Sequence, residues 1–180
     1  MLSRLLIVFL LILKPAIIEE VTISWSDSKK LTWSDFKGQV EQNTDAVAVT
    51  ASGIAFSFSV SQSNDKYIDF NAISEAYFYP EKSWYLKNKG DDYILAHEQL
   101  HFDITELHVR QLRFNISRVN VSQNIKQELR DLHEQANKNL AIMQNDYDTQ
   151  TDNSINKTEQ AIWSQFVKIE LYKYKDFRSK

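Results

Sequence analysis

The chain changes its hydrophobic rhythm near its middle. From Val21 to about Pro80, apolar residues tend to alternate with polar ones. Ile54, Phe56, Phe58 and Val60 follow a period of two, and Val47–Thr50 and Tyr67–Tyr79 are rich in β-branched and aromatic residues. This pattern predicts strands with one face toward a core. Asn64-Asp65 between the second and third of these runs reads as a hairpin turn, Gly53 as a turn or bulge, and Pro80 as a stop. The stretch Trp25–Gly38 reads as a short strand and a loop, pinned to the core by its aromatic residues.

Beyond Gly90 the spacing turns helical. Asp91 or Asp92 caps a predicted helix reaching about Phe114, with a stripe of Leu100, Ile104 and Leu107. A second helix, capped by Ser122, carries Ile125, Leu129, Leu132, Ala136, Leu140, Met143 and Tyr147 at spacings of three and four. The polar segment Asp146–Asn156 reads as a break, and a third helix follows with Ile162, Trp163, Phe166 and Ile169 as its expected buried face. The fold class is therefore α+β, a small N-terminal antiparallel sheet followed by three helices.

The opening of the chain breaks this picture. Arg4, the unbroken apolar run Leu5–Leu13 and then Lys14-Pro15 have the form of a secretory signal peptide, too short to span a bilayer. The expected organisation is a signal peptide over residues 1–20 and one domain over 21–180, working in the periplasm or outside the cell, with no stable membrane span beyond the signal segment. The 180 residues contain no Cys, which excludes disulfide scaffolds, Cys-ligated zinc, iron–sulfur clusters and thiol enzymes. The net charge of −3 provides no general footprint for nucleic acid. A metal in this chain must be held by imidazole, carboxylate or amide.

One pattern carries such chemistry. His97-Glu98-Gln99-Leu100-His101 lies inside the first predicted helix. Two His four residues apart share a helix face, and Glu98 sits about 100° round from His97. This is the zincin spacing, with both imidazoles on zinc and the Glu as general base toward a water at the ion. His108 lies two turns beyond His101 and cannot share an ion on a straight helix. Asp103 and Glu106 point to other faces and read as supporting or structural groups, Glu106 with Arg110 as an i+4 partner. The third ligand must come from elsewhere. Asp146–Asn153 is the best source, although Asp and Asn are also ordinary turn and cap residues.

The run Leu95–Leu107 followed by Arg110 resembles the HEQ-x-HFDI-x-E signature of the DUF922 family. The likeness continues in Leu31–Gly38 (L-T-W-x-D-F-K-G), Thr50–Ile54 (T-x-S-G-I), Ser83-Trp84, and Tyr147–Thr151 with Gln160 and Trp163. That resemblance implies a bacterial, secreted, zinc-dependent protease with a zincin-like fold. It implies Zn2+ as cofactor, a peptide or protein as substrate, His97 and His101 as ligands and Glu98 as base. The late motif departs from the family pattern, with Gln150 in place of Glu and Asn153 in place of His. Asp148, Asp152 or Asn153 is thus the candidate third ligand, and Tyr147 joins Asp103 and Glu106 behind the ligands. The alternative is a catalytically weakened or non-catalytic envelope module that keeps the fold and the metal.

Overall fold

The computed structural model describes residues 20–179, so all but the last residue of the expected signal segment lies outside the described residues. The architecture is α+β. Five strands, β1 (Ile23–Ser24), β2 (Ala48–Val49), β3 (Ser52–Ser63), β4 (Lys66–Phe78) and β5 (Trp84–Tyr85), precede three helices, α1 (Asp92–Ile116), α2 (Ile125–Thr151) and α3 (Lys157–Lys173). The strands form two antiparallel sheets, ordered β1-β4-β3 and β2-β5.

The β3–β4 hairpin is the long element of the first sheet. It runs from Ser52 opposite Phe78 to Ser63 opposite Lys66, with one register shift at Ser61/Gln62. Asn64 and Asp65 both take positive φ, 46° and 60°, as a two-residue turn matched to strand twist requires. Gly53 is neither turn nor bulge. It pairs with Tyr77 inside β3, beside the Tyr79 ring.

α1 is the structural centre. Asp91 caps it by accepting from the Ile94 amide at 2.8 Å. Its buried residues run round most of its circumference and include the predicted stripe of Leu100, Ile104 and Leu107. The hairpin packs on one side and α2 and α3 on the others, so the helix meets little water along its middle turns.

α2 starts three residues after Ser122, with Asn124 rather than Ser122 at its N-cap, and the Ser122 hydroxyl instead accepts from the Asn124 amide at 3.0 Å. It then runs through the expected break as far as Thr151. Tyr147 and Thr151 continue the buried stripe by one further turn, and this packing outweighs the polar character of Asp146, Asp148 and Gln150. The turn comes only at Asp152, Asn153 and Ser154, with φ of 49°, 48° and 77°. Asp and Asn tolerate that left-handed backbone better than most residues.

The expected face of α3 is turned the wrong way. Val167 and Gln160 are buried, whereas Ile162, Phe166 and Ile169 are exposed and Trp163 is half-buried. α3 covers only one strip of a helix that its neighbours already enclose.

Residues 25–38 clamp the strands to α1. Trp33 stacks on Tyr85 with centroids 4.3 Å apart and Phe36 meets Phe78 edge-on at 5.1 Å. The Gly38 amide donates to the Ser83 carbonyl at 2.7 Å, and a Cβ on Gly38 would stand 2.9 Å from the carbonyl oxygens of both Glu81 and Ser83. Gly38→Ala is therefore expected to cost about 1–3 kcal/mol through forced backbone displacement, read as a lower urea midpoint at unchanged m-value.

His108 is buried on α1 and its Nε2 has no hydrogen-bond partner. Burial disfavours the charged ring and pushes its pKa from 6.5 down to about 4. The unfolded chain binds a proton near pH 6.5 and the folded chain does not. The stabilising contribution is thus complete above pH 6.5 and is lost as the pH falls toward 4. That gap is worth about 3 kcal/mol. His108→Leu is expected to flatten the stability-against-pH curve in this window, as measured by urea titrations with a chelator present.

Candidate metal centre

The first two turns of α1 and the last two of α2 meet over the aromatic ring of Tyr147. This ring is fully buried. It stacks on His97 with centroids 4.4 Å apart and an interplanar angle of 22°, and meets His101 edge-on at 4.9 Å. Tyr147 therefore fixes both imidazole planes by packing rather than by hydrogen bonding, since its hydroxyl reaches the His97 carbonyl only at 3.5 Å. Burial first, and then the nearby charges of Glu98 and Asp148, push the phenol well above its usual range, so it stays neutral.

One turn further along α2 from Gln144, Asp148 points into the same space. His97 Nε2 and His101 Nε2 lie 3.1 Å apart, and Asp148 Oδ1 is 3.2 Å from the first and 3.0 Å from the second. Ligands at about 2.1 Å on a tetrahedral ion stand about 3.4 Å from each other, so these three atoms converge as one face of such a site. Among the described residues, His97, His101 and Asp148 form the group able to hold a metal ion.

The electrostatics favour a cation at that point. Burial works against a charged His101. The hydrogen bond to Asp148, the charges of Glu98 and Asp148 and the hydrogen bond to Gln144 outweigh it, and the net pKa is raised. Burial likewise works against a charged Asp148, but hydrogen bonds to His101 and His97 and their charges hold it below the usual carboxylate range. The raised basicity of His101 lets a proton occupy the position that a metal ion would use. Metal and proton therefore compete, and binding strengthens as the pH rises.

Gln144 orients His101, a role that sequence reading missed. Its Oε1 meets His101 Nδ1, and its Nε2 donates to the His101 carbonyl at 2.9 Å. An Nδ1–H held in this way leaves the Nε2 lone pair facing Asp148 and His97. The Thr105 hydroxyl also donates to the His101 carbonyl at 3.1 Å and lies 2.7 Å from the Ser52 hydroxyl, which ties the site to β3. Gln144 was hard to anticipate because it lies between apolar stripe positions of α2 and belongs to no short motif.

The other sequence candidates fall elsewhere. Gln99, Asp103, Glu106 and Arg110 share one stripe of α1, about 180° from His97 and His101. Asp103 accepts from Trp25 Nε1 at 2.7 Å and Gln99 Nε2 at 2.8 Å, and Gln99 Oε1 accepts from the Leu31 amide at 2.8 Å. Glu106 pairs with Arg110 at 2.8 Å and accepts from the Ser179 hydroxyl at 2.7 Å. These residues anchor the two ends of the domain to α1 and do not touch the His pair. Asp152 lies exposed in the turn after α2. Asn153 and Ser154 line the cavity over the site but stand outside the metal group. Gln150 accepts from Trp163 Nε1 at 3.0 Å on an exposed surface, a bond that a Glu would accept equally.

That cavity has a volume of about 470 Å3. α1 supplies Ile94, His97, Glu98 and His101. α2 supplies Leu140, Gln144 and Asp148, and the extended backbone of residues 46–50 forms the opposite wall. Glu98 is buried here, with Oε2 lacking any hydrogen-bond partner.

Residues 80–155 match the family described as "Bacterial protein of unknown function (DUF922)". Over that segment, somewhat under half of the chain, the protein is similar to this family. The match spans β5, α1 and α2, and so contains the whole His-His-Asp group. Comparison with curated proteins and with solved structures finds no match.

Titration with Zn2+ is expected to show one ion per chain. His97→Ala, His101→Ala and Asp148→Ala should each abolish stoichiometric binding, while Asp152→Ala should leave it intact. Gln144→Leu should weaken affinity about 10- to 100-fold, the usual effect of freeing a ligand imidazole.

Proposed function

We propose that this protein is a zinc-dependent peptidase that acts outside the cytoplasm. The observation that carries the reading is the position of Glu98. Its buried carboxylate, with one oxygen unpartnered, lines the same cavity as the converging His97, His101 and Asp148. An unpaired buried carboxylate is costly, and catalytic sites are where proteins retain such groups.

The donor set suits zinc, since two imidazoles and one carboxylate with a remaining open position are a common catalytic arrangement. A zinc ion there supplies Lewis acidity, which polarises a carbonyl and makes water a nucleophile near neutral pH. Glu98 takes the proton of the attacking water and carries it to the leaving amine. Asp148 balances charge beside the imidazoles, and Tyr147 with Gln144 keeps the rings in place. Asn153 lines the cavity with an amide able to donate to a substrate carbonyl.

The wall of residues 46–50 supports a peptide as the substrate. β2 pairs with β5 through one edge, and among the described residues its other edge pairs with no strand. An extended peptide laid along that wall gains backbone hydrogen bonds without dependence on its sequence. The exposure of Asn153 where relatives are expected to carry His favours a second reading, a weakened or non-catalytic module of the same fold.

Glu98→Gln is expected to keep zinc and lower cleavage of a peptide library at least about 100-fold, the lower end of what general-base catalysis contributes. Equal cleavage by this variant would overturn the mechanism. A parent protein that binds zinc without cleaving, together with an Asn153→His variant that cleaves, would establish the weakened module instead.

A further inference from the structure

α3 is apolar on both sides. Val167 and Leu171 pack toward the core, and Trp163 beside them leans on Tyr147. Ile162, Phe166 and Ile169, spaced four and three apart, form a second stripe about 150° from Val167 and Leu171. They are 55%, 42% and 54% exposed, and Tyr172 at the edge of that stripe is 70% exposed. Single exposed aliphatic residues are ordinary, but a continuous stripe along a surface helix marks a docking face.

Charge supplies the second observation. Lys157, Lys168, Lys173, Lys175 and Arg178 against Glu159, Glu170 and Asp176 make residues 157–179 net positive, in a chain of net charge −3. Beside the stripe, a cleft of about 740 Å3 opens between α3, the turn at Lys175–Phe177 and residues 25–30. Lys30, Arg110, Lys168, Lys175 and Arg178 line it, Lys30 and Arg110 over the Trp25 ring, with Asp27 and Asp103 as its acids and Asp27 3.9 Å from Arg178. Asp103 is occupied by Trp25, Gln99 and Lys30. Arg110 is 97% buried at the foot of the cleft. Its Nε donates to Glu106 and its Nη1 to the Leu171 carbonyl, while Nη2 has no hydrogen-bond partner and stands 4.0 Å from Asp27.

We infer that this face docks on an anionic lipid surface. Ile162, Phe166 and Ile169 enter the interface, and the cationic cleft receives one anionic headgroup. An exposed apolar stripe with flanking Lys and a Tyr at its edge offers the side chains by which a docked helix seats itself in a bilayer interface. The cations add attraction that is specific to negative lipid. No described helix is long and apolar enough to cross a membrane, so the contact is peripheral. The inference does not depend on the metal centre: Asp103 and Arg110 of the cleft lie on the stripe of α1 opposite His97 and His101, and Phe166 touches Trp163 rather than the histidines.

The test is co-sedimentation of the full chain with vesicles of phosphatidylcholine alone or with about one part in four phosphatidylglycerol. Leu6→Asp and Leu10→Asp are present in every arm, so that the apolar run of residues 5–13 does not itself bind. Binding to the mixed vesicles is expected to be at least about tenfold stronger than to phosphatidylcholine, and to weaken as salt rises. Phe166→Ser with Ile169→Ser, and separately Lys168→Gln with Lys175→Gln and Arg178→Gln, should each lower it about tenfold or more. Both sets change exposed side chains, and circular dichroism and zinc binding should match the parent. Absence of binding, equal binding to both vesicles, or indifference to both sets would overturn the inference. So would concentration-dependent self-association abolished by the Phe166 and Ile169 substitutions, which would identify a second copy of the chain as the occupant.

Discussion

The enclosure of α1 is the constraint on which the rest of the protein depends. A helix buried round most of its circumference has little solvent face on which to place polar residues, so most of those it carries find partners inside the fold, and the few atoms left without one, Glu98 Oε2 among them, stand out. Gln99, Asp103, Glu106 and Arg110 find theirs in the segments that open and close the described domain. His97 and His101 find theirs in Asp148, Gln144 and the face of Tyr147. The same helix serves as scaffold along one stripe and as candidate centre along the opposite one, and burial accounts for the many partners that the polar groups on both have found.

This division gives the signature of the first helix a physical reading. His97, Glu98 and His101 project toward a cavity, while Gln99, Asp103 and Glu106 hold distant backbone in place. The shorter motifs act in the same way. The Thr50 hydroxyl donates to the Glu98 carbonyl at 3.2 Å, the Ser83 hydroxyl accepts from the Ala51 amide at 2.9 Å, and the Gln160 amide donates to the Tyr93 carbonyl at 3.2 Å. Each bond fixes an element that frames the site without entering it. Metal geometry tolerates errors of only a few tenths of an ångström, and rigidity of this kind supplies the needed precision.

Two elements depart from the periodicity of the chain, and for related reasons. α2 extends one turn past its last clearly apolar position because Tyr147 and Thr151 still have a surface to pack on, and that extra turn carries Asp148 to the His pair. α3 presents its more apolar stripe to solvent because α1 needs only a narrow strip of cover, which Val167 and Leu171 provide. Hydrophobic spacing tells which residues share a face. It does not tell which of two apolar faces meets the core.

Local physics alone was enough to make several features legible in the amino-acid order. The switch from period two to helical spacing, the Asn64-Asp65 turn, the Asp91 cap and the one-turn separation of His97 from His101 each depend on residues close together in the chain. The partners lying across the fold were not legible. Asp148 stood as one of three candidates, Gln144 was invisible, and of Asp103 and Glu106, read as supporting or structural groups, the Glu106–Arg110 pair was legible but the contacts with Trp25 and Ser179 were not. These assignments rest on which helix face meets which neighbour. Only the packing of α2 on α1 brings residues some fifty positions apart within 3.2 Å of each other, because a helix rotation of 100° per residue turns a small difference in docking into a different set of facing side chains.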